Sequence, residues 1–218
     1  MEKMELLERF SKLPTGNICD AIYDLGMVCH TVDGIPPLRI GQRRTAGYAV
    51  TIQQAMRKEP YSPVSLIRHP KYIDSELEEG DLLVIDVGGK MNVCSGGSFL
   101  AEKAMKKKAA GFLVNGCLRD IEELYELDFP IHLLGGNPVK SAALIETVGI
   151  NVPVEINGTQ IKPGDIIVMD STGIVVISPK DAERVLEEAE KIFVLETKVA
   201  QLVEDGEDVT KAFKEASK

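Results

Sequence analysis

The sequence predicts a layered α/β fold whose sheets pack on one another and which closes with a long C-terminal helix. Three observations carry this. Helix signals dominate the first quarter of the chain, short apolar strands joined by tight turns dominate residues 152–176, and one uninterrupted helical pattern follows. A plain doubly wound sheet would alternate strand and helix to the end, and this chain does not.

The elements follow in order. Residues 2–12 and 16–25 read as helices broken by Leu13-Pro14-Thr15-Gly16, with Thr15 or Asn17 as caps for the second. After the loop Asp33-Gly34-Ile35-Pro36-Pro37, residues 46–52 read as a strand. Residues 61–78 are ambiguous, a helix or two short ones. Gly80-Asp81 turns the chain into a strand at Leu82–Asp86. A glycine-rich loop (Gly88, Gly89, Gly96, Gly97) then leads to a helix over 98–110 and a strand at Phe112–Asn115. A short helix after Asp120 and a strand at Ile131–Leu134 complete this part. Strands at 152–156, 159–161, 166–169 and 174–176 are joined by Asn157-Gly158, Pro163-Gly164-Asp165 and Thr172-Gly173 turns. Ser178-Pro179-Lys180-Asp181 reads as a helix start, with Ser178 at the cap. The apolar series from Val185 to Val203 makes a helix of some 25 residues, about 35–40 Å at ~1.5 Å per residue. This gives one domain over 1–178 and a helical extension over 179–218 whose outer half is expected on a neighbouring subunit.

Composition narrows the function. With 34 acidic and 25 basic residues, the net charge of −9 argues against a general nucleic-acid binder. No apolar run approaches the ~20 residues of a membrane span. The four cysteines form no CxxC pair and read as reduced thiols, so a cytoplasmic location is expected. The GxGxxG, Walker, HExxH and GxSxG patterns are missing. Three scattered histidines argue against a zinc site or a His-based triad.

The informative stretch is Gly96-Gly97-Ser98-Phe99-Leu100 followed by Gly116-Cys117-Leu118-Arg119-Asp120. The first part sets bare backbone amides at a helix start, where unpaired N–H groups and the helix dipole favour an anion. The second sets a guanidinium and a carboxylate just past the next strand, where ligands gather in open α/β sheets. Bland readings stand beside these. The glycines can serve only a tight turn, Asp120 with Glu123 makes a capping box, Arg119 can be a surface ion pair, and Asp86 can simply end a strand.

Leu13-Pro14-Thr15-Gly16-Asn17-Ile18-Cys19-Asp20-Ala21, Gly80 to Gly89, the spacing from Gly97 to Arg119-Asp120, and Lys162-Pro163-Gly164-Asp165 together resemble one family. It contains the 4-hydroxy-4-methyl-2-oxoglutarate aldolases and the regulator of ribonuclease activity A. The resemblance implies an α/β/β/α domain and a class II, divalent-metal pyruvate aldolase, a homotrimer or a homohexamer built from trimers. Carried over by position, Gly97, Ser98, Phe99 and Leu100 line the substrate site, and the amides of Phe99 and Leu100 meet the pyruvate carboxylate. Arg119 contacts the keto oxygen, and Asp120 holds Mg²⁺ or Mn²⁺ with waters filling most other positions. Glu196, with Glu190 second, matches a glutamate that reaches the site from a neighbouring subunit. The implied substrate is a short acidic 4-hydroxy-2-oxo acid, and the same chemistry would decarboxylate oxaloacetate. One departure is Ser98, which stands where the family's aldolases commonly carry an acidic residue; a related lyase or isomerase with altered substrate choice is therefore a further reading. The alternative class is a non-catalytic regulator binding a ribonuclease or helicase, against which the retained Asp120 argues. No nucleotide loop supports methyltransferase activity.

Overall fold

A computed structural model describes residues 2–217; Met1 and Lys218, the outer ends of the expected domain and tail, lie outside the described residues. Two helices open the chain, α1 (Lys3–Lys12) and α2 (Thr15–Asp24), followed by strands β1 (His30–Thr31) and β2 (Thr45–Met56). Next come α3 (His69–Ser75), β3 (Asp81–Cys94), α4 (Ser98–Lys106), β4 (Gly111–Leu118), α5 (Ile121–Glu126) and β5 (Ile131–Gly136). The one-turn α6 (Ser141–Leu144) leads into β6 (Ile145–Ile150), β7 (Val154–Ile156), β8 (Thr159–Ile161), β9 (Ile166–Met169) and β10 (Ile174–Ile177). The chain closes with α7 (Ala182–Glu204) and α8 (Val209–Ala216).

The layering follows from period-2 alternation on a sheet that curls over itself. An eight-stranded sheet runs β1-β10-β9-β2-β3-β4-β5, with β6 also paired to β2, while β7 and β8 form a separate hairpin. On β3, Leu82 and Val84 face one way and Leu83 and Ile85 the other. The first pair joins Ile167 and Met169 of β9, Ile174 and Val176 of β10, and Val154, Ile156 and Ile161 of the hairpin in an inner strand-on-strand core. The second pair packs with Ala101 and Ala104 of α4 and Ile73 of α3. The opposite faces of β9 and β10, through Ile166, Val168, Val175 and Ile177, receive α1, α2 and α7. Helices outside and two strand layers inside are the α/β/β/α arrangement.

Several local expectations need correction. No side chain caps α2. The Thr15 amide and hydroxyl instead donate to Asp170, at 2.9 and 2.8 Å, across the fold. Burial pushes the Asp170 carboxyl up, but these bonds and those from the Thr172 and Gly173 amides hold it below its usual range. Strand β3 does not stop at Asp86. It continues to Cys94 through Gly88 and Gly89, both at positive φ, with its register to β4 shifting on either side of Lys90. The Asp86 carboxylate accepts from the Gly88 amide and the Asn115 side chain at 2.8 Å, so it fastens β3 to β4. The helix expected over 98–110 ends at Lys106.

The tail helix begins later than Ser178. That residue's carbonyl accepts from the Asp181 amide at 3.0 Å in a turn, and Asp181 holds the cap position. Ala182, Val185, Leu186 and Ala189 are buried among Ile18, Ala21 and Ile22 of α2, so the first half of α7 belongs to this chain's own core. Gly206, at φ +94°, breaks the helix, and α8 starts at an Asp208 cap that accepts from the Thr210 and Lys211 amides. Among the described residues no helix is long and apolar enough to cross a membrane.

Candidate active site

The parallel strands β3 and β4 end side by side, and the loops leaving them bring the two informative motifs together. The Gly96 carbonyl accepts from the Arg119 amide at 2.9 Å, so the glycine loop and the Arg119-Asp120 pair are stitched backbone to backbone. Asp120 sits in the left-handed region at φ 59° and ψ 46°. An aspartate tolerates this conformation better than most residues. The consequence is directional. Although it precedes α5, Asp120 makes no cap bond to it. Its Oδ2 accepts instead from the Ser98 amide at 3.2 Å and lies 3.3 Å from the Ser98 hydroxyl, at the start of α4. The capping box expected with Glu123 does not form.

Gly97 permits that approach. A Cβ there would stand 2.2 Å from Asp120 Oδ2 and 2.9 Å from the Arg119 Cγ. The Arg119 Nε lies 3.5 Å from the same carboxylate oxygen. Around these groups opens a cavity of about 300 Å³ lined by Gly96, Gly97, Phe99, Leu100, Arg119 and Asp120, with Lys140 and Ser141 from the start of α6. Two cations, Arg119 and Lys140, and one carboxylate line it, which suits an anionic guest.

Among the sequence candidates, Gly97, Phe99, Leu100, Arg119 and Asp120 meet at this cavity. Ser98 is only 5% exposed, is not part of the lining, and is turned toward Asp120. An acidic residue in its place would set a second carboxylate against the first. The Leu100 amide already donates to the Gly97 carbonyl at 3.1 Å, whereas the Phe99 amide has no protein partner among the described residues. Glu196 is not brought to the cavity within this chain; it lies on α7 and accepts from the Asn17 side chain at 2.6 Å. Glu190 is held by Arg9 in a two-pronged pair between α7 and α1. The Arg9 guanidinium keeps the Glu190 carboxyl below its usual range. Of the lysines near the glycine loop, Lys103 pairs with Asp74 at 3.1 Å and Lys90 is exposed; neither lines the cavity. Lys140 and Ser141 were not legible from the sequence. They follow a strand some twenty residues beyond the motif, and no local pattern marks them.

Among the described residues no three His, Cys, Asp or Glu side chains cluster as a ready-made metal cage. A lone carboxylate in an open cavity fits a hard, oxygen-seeking ion that retains waters, as Mg²⁺ and Mn²⁺ do. It does not fit zinc, which takes three or four nitrogen or sulfur ligands.

A curled α/β/β/α domain carries an Arg-Asp pair beside a helix N-terminus at the ends of parallel strands, a setting whose chemistry suits a small anion. Residues 15–176 match the family model RraA-like: Aldolase/RraA, and the chain belongs to that family. A protein of Halalkalibacterium halodurans named "Putative 4-hydroxy-4-methyl-2-oxoglutarate aldolase" is 31% identical over 194 residues, covering 87% of this chain and 84% of that one. The crystal structure of RraAS2 from Streptomyces coelicolor, described as an unusual member of the RNase ES inhibitor RraA protein family, superposes with a TM-score of 0.75 at 26% identity. It covers 87% of this chain and 92% of its own. An uncharacterized protein from Pseudomonas syringae shares the fold at a TM-score of 0.82 and 22% identity, over 96% of both chains.

Proposed function

We propose that the protein is a divalent-metal-dependent lyase that cleaves a short acidic 4-hydroxy-2-oxo acid, such as 4-hydroxy-4-methyl-2-oxoglutarate, to release pyruvate, with oxaloacetate decarboxylation as a second activity. The observation that carries this reading is the Arg119-Asp120 pair held against the open amide end of α4 in one cavity. The Phe99 amide and the α4 dipole receive the substrate carboxylate. The Arg119 guanidinium neutralises the negative charge that grows on the keto oxygen as the carbon–carbon bond breaks. Mg²⁺ or Mn²⁺ held by Asp120 would act as a Lewis acid on the 2-oxo acid group. Lys140 supplies a second cation for the distal carboxylate, and this favours diacids over simple 2-oxo acids. Cleavage also needs a base for the 4-hydroxyl proton and a proton donor for the methylene carbon of the pyruvate enolate, which becomes the methyl of pyruvate. Ser98 is spent on Asp120, so a group from outside the protomer suits that task better.

Support for a neighbouring copy comes from Phe99, 76% exposed at the cavity, and from Phe193 and Val194 on α7, 38% and 54% exposed. This reading takes a homotrimer, or a hexamer of trimers, with Glu196 of one subunit serving the cavity of the next.

The test is Asp120→Asn. The asparagine keeps the left-handed backbone affordable, as alanine would not, and removes the charge. Metal-dependent pyruvate release, read in a coupled lactate dehydrogenase assay over a substrate panel including oxaloacetate, is expected to fall at least a hundredfold with the fold retained. No metal-dependent turnover in the unmodified protein, together with capture of a ribonuclease or helicase by both forms, would instead establish the regulator reading.

A further inference from the structure

Behind the glycine loop, outside the cavity lining, runs a buried string of polar side chains. The Ser95 hydroxyl donates to the Gln54 Oε1 at 2.6 Å, and the Gln54 Nε2 lies 3.1 Å from the His69 Nδ1. Ser95 and His69 are fully buried, and Gln54 is only 5% exposed. The string sets the tautomer. With its oxygen taken by Ser95, Gln54 presents an N–H to His69, so Nδ1 must accept and the ring proton must sit on Nε2. Burial depresses the ring's pKa to about 4, against a smaller opposing pull from the Ser95 backbone, so the imidazole is neutral.

That Nε2–H completes no hydrogen bond of good geometry among the described residues, although the Ser95 backbone is close enough to pull on the ring. The Nε2 atom lies 3.9 Å from the point where a Cβ on Gly96 would stand; Gly96 lines the cavity and His69 does not. The Gly96 carbonyl in turn accepts from the Arg119 amide, and the Ser95 amide donates to the Cys117 carbonyl at 2.7 Å. A shift of this short segment therefore moves the start of α4 and Arg119 together.

We propose that His69 is a positioning residue for the anion site, its Nε2–H setting the height of the Ser95–Gly97 backbone beneath the Phe99 amide. The inference rests on reading this cavity as the anion site. It assigns His69 no contact with substrate.

Two variants separate positioning from simple packing. Glutamine at 69 carries an amide near the Nε2 position, and asparagine one near Nδ1. His69→Asn therefore keeps the link to Gln54 and loses the donor under Gly96, whereas His69→Gln does the reverse. Positioning through Nε2 expects His69→Gln to bind oxalate with Mg²⁺ within about threefold of the unmodified protein, and His69→Asn about tenfold more weakly. Amide hydrogen exchange of Gly97–Leu100, measured without ligand, should accelerate in His69→Asn and stay near normal in His69→Gln. A purely structural role would make exchange follow the thermal stability of each variant, and equal exchange or equal oxalate affinity in the two would overturn the proposal. Should His69→Asn not fold, Ser95→Ala cuts the string from the other end and must accelerate the same amides. If the unmodified protein binds no oxalate, the reading of the cavity fails, while the exchange comparison still decides the role of His69.

Discussion

Replacing Gly97 by alanine tests the site through sterics alone. The residue's φ is −161°, ordinary extended backbone, so alanine brings no torsional penalty. The added Cβ, however, would stand 2.2 Å from Asp120 Oδ2, 2.9 Å from the Arg119 Cγ and 3.1 Å from the Asp120 Cγ. An ordinary carbon–oxygen contact needs more than 3 Å, so the carboxylate must retreat by about 1 Å. Its 3.2 Å bond from the Ser98 amide is lost or stretched as it goes. Overpacking of this kind costs about 1–3 kcal/mol of stability. A displacement of about 1 Å among reacting groups costs on the order of a hundredfold in rate. Gly97→Ala is therefore expected to fold, to melt a few degrees lower, and to release pyruvate about a hundredfold more slowly with raised metal requirement. Titrating Mg²⁺ in the pyruvate assay, with circular dichroism melts alongside, reads both effects. Full turnover at unchanged Mg²⁺ demand would refute the role given to the Asp120 carboxylate.

Other outcomes follow from the remaining contacts. Mixing Asp120→Asn subunits with Glu196→Gln subunits should restore turnover that neither has alone, because some cavities in the mixed oligomer receive both intact groups; no recovery after verified exchange removes Glu196 from the site. Stability should fall between pH 7 and about pH 5. Burial holds His69 near 4, and burial lowers His132 too, so below the ordinary value of 6.5 the unfolded chain takes up protons that the folded chain refuses. For His69 this amounts to about 2 kcal/mol at pH 5, readable as a shift in urea midpoint that shrinks in His69→Gln. Glu190→Gln should cost about 1 kcal/mol of stability through the lost pairing of α7 with Arg9, more at low salt, with pyruvate release unchanged.

The layered class was legible because apolar alternation and turn residues are local signals. Leu82–Ile85, Ile166–Met169 and Ile174–Ile177 alternate between two apolar environments, and Asn157-Gly158 and Gly164 sit at turns with positive φ. Strand lengths were harder to read. β2 reaches Met56 and β3 reaches Cys94 across Gln53, Gln54, Gly88 and Gly89, residues that break an apolar run although the backbone ladder continues. Strand β6 carries no continuous apolar signal, because Glu146, Thr147 and Gly149 interrupt its apolar residues; it exists through pairing with the end of β2. At the site, the glycines and the Arg119-Asp120 pair stood out by type and spacing. Which helix Asp120 would serve did not, since that depends on one left-handed backbone angle. The string from His69 through Gln54 to Ser95 is assembled by the tertiary fold from separate elements.

Strand β2 carries a consequence for how the molecule comes apart. Its first residues pair with β9, its middle with β3 and its last with β6. The two helix-covered flanks share this one ribbon, so neither can open without stripping hydrogen bonds from the other. Unfolding is then a single cooperative event, and the amides of Ala49–Ile52 should exchange only at the free energy of global unfolding. The glycine loop, tied to that ribbon through Gln54, inherits a rigid mount although it is itself a loop.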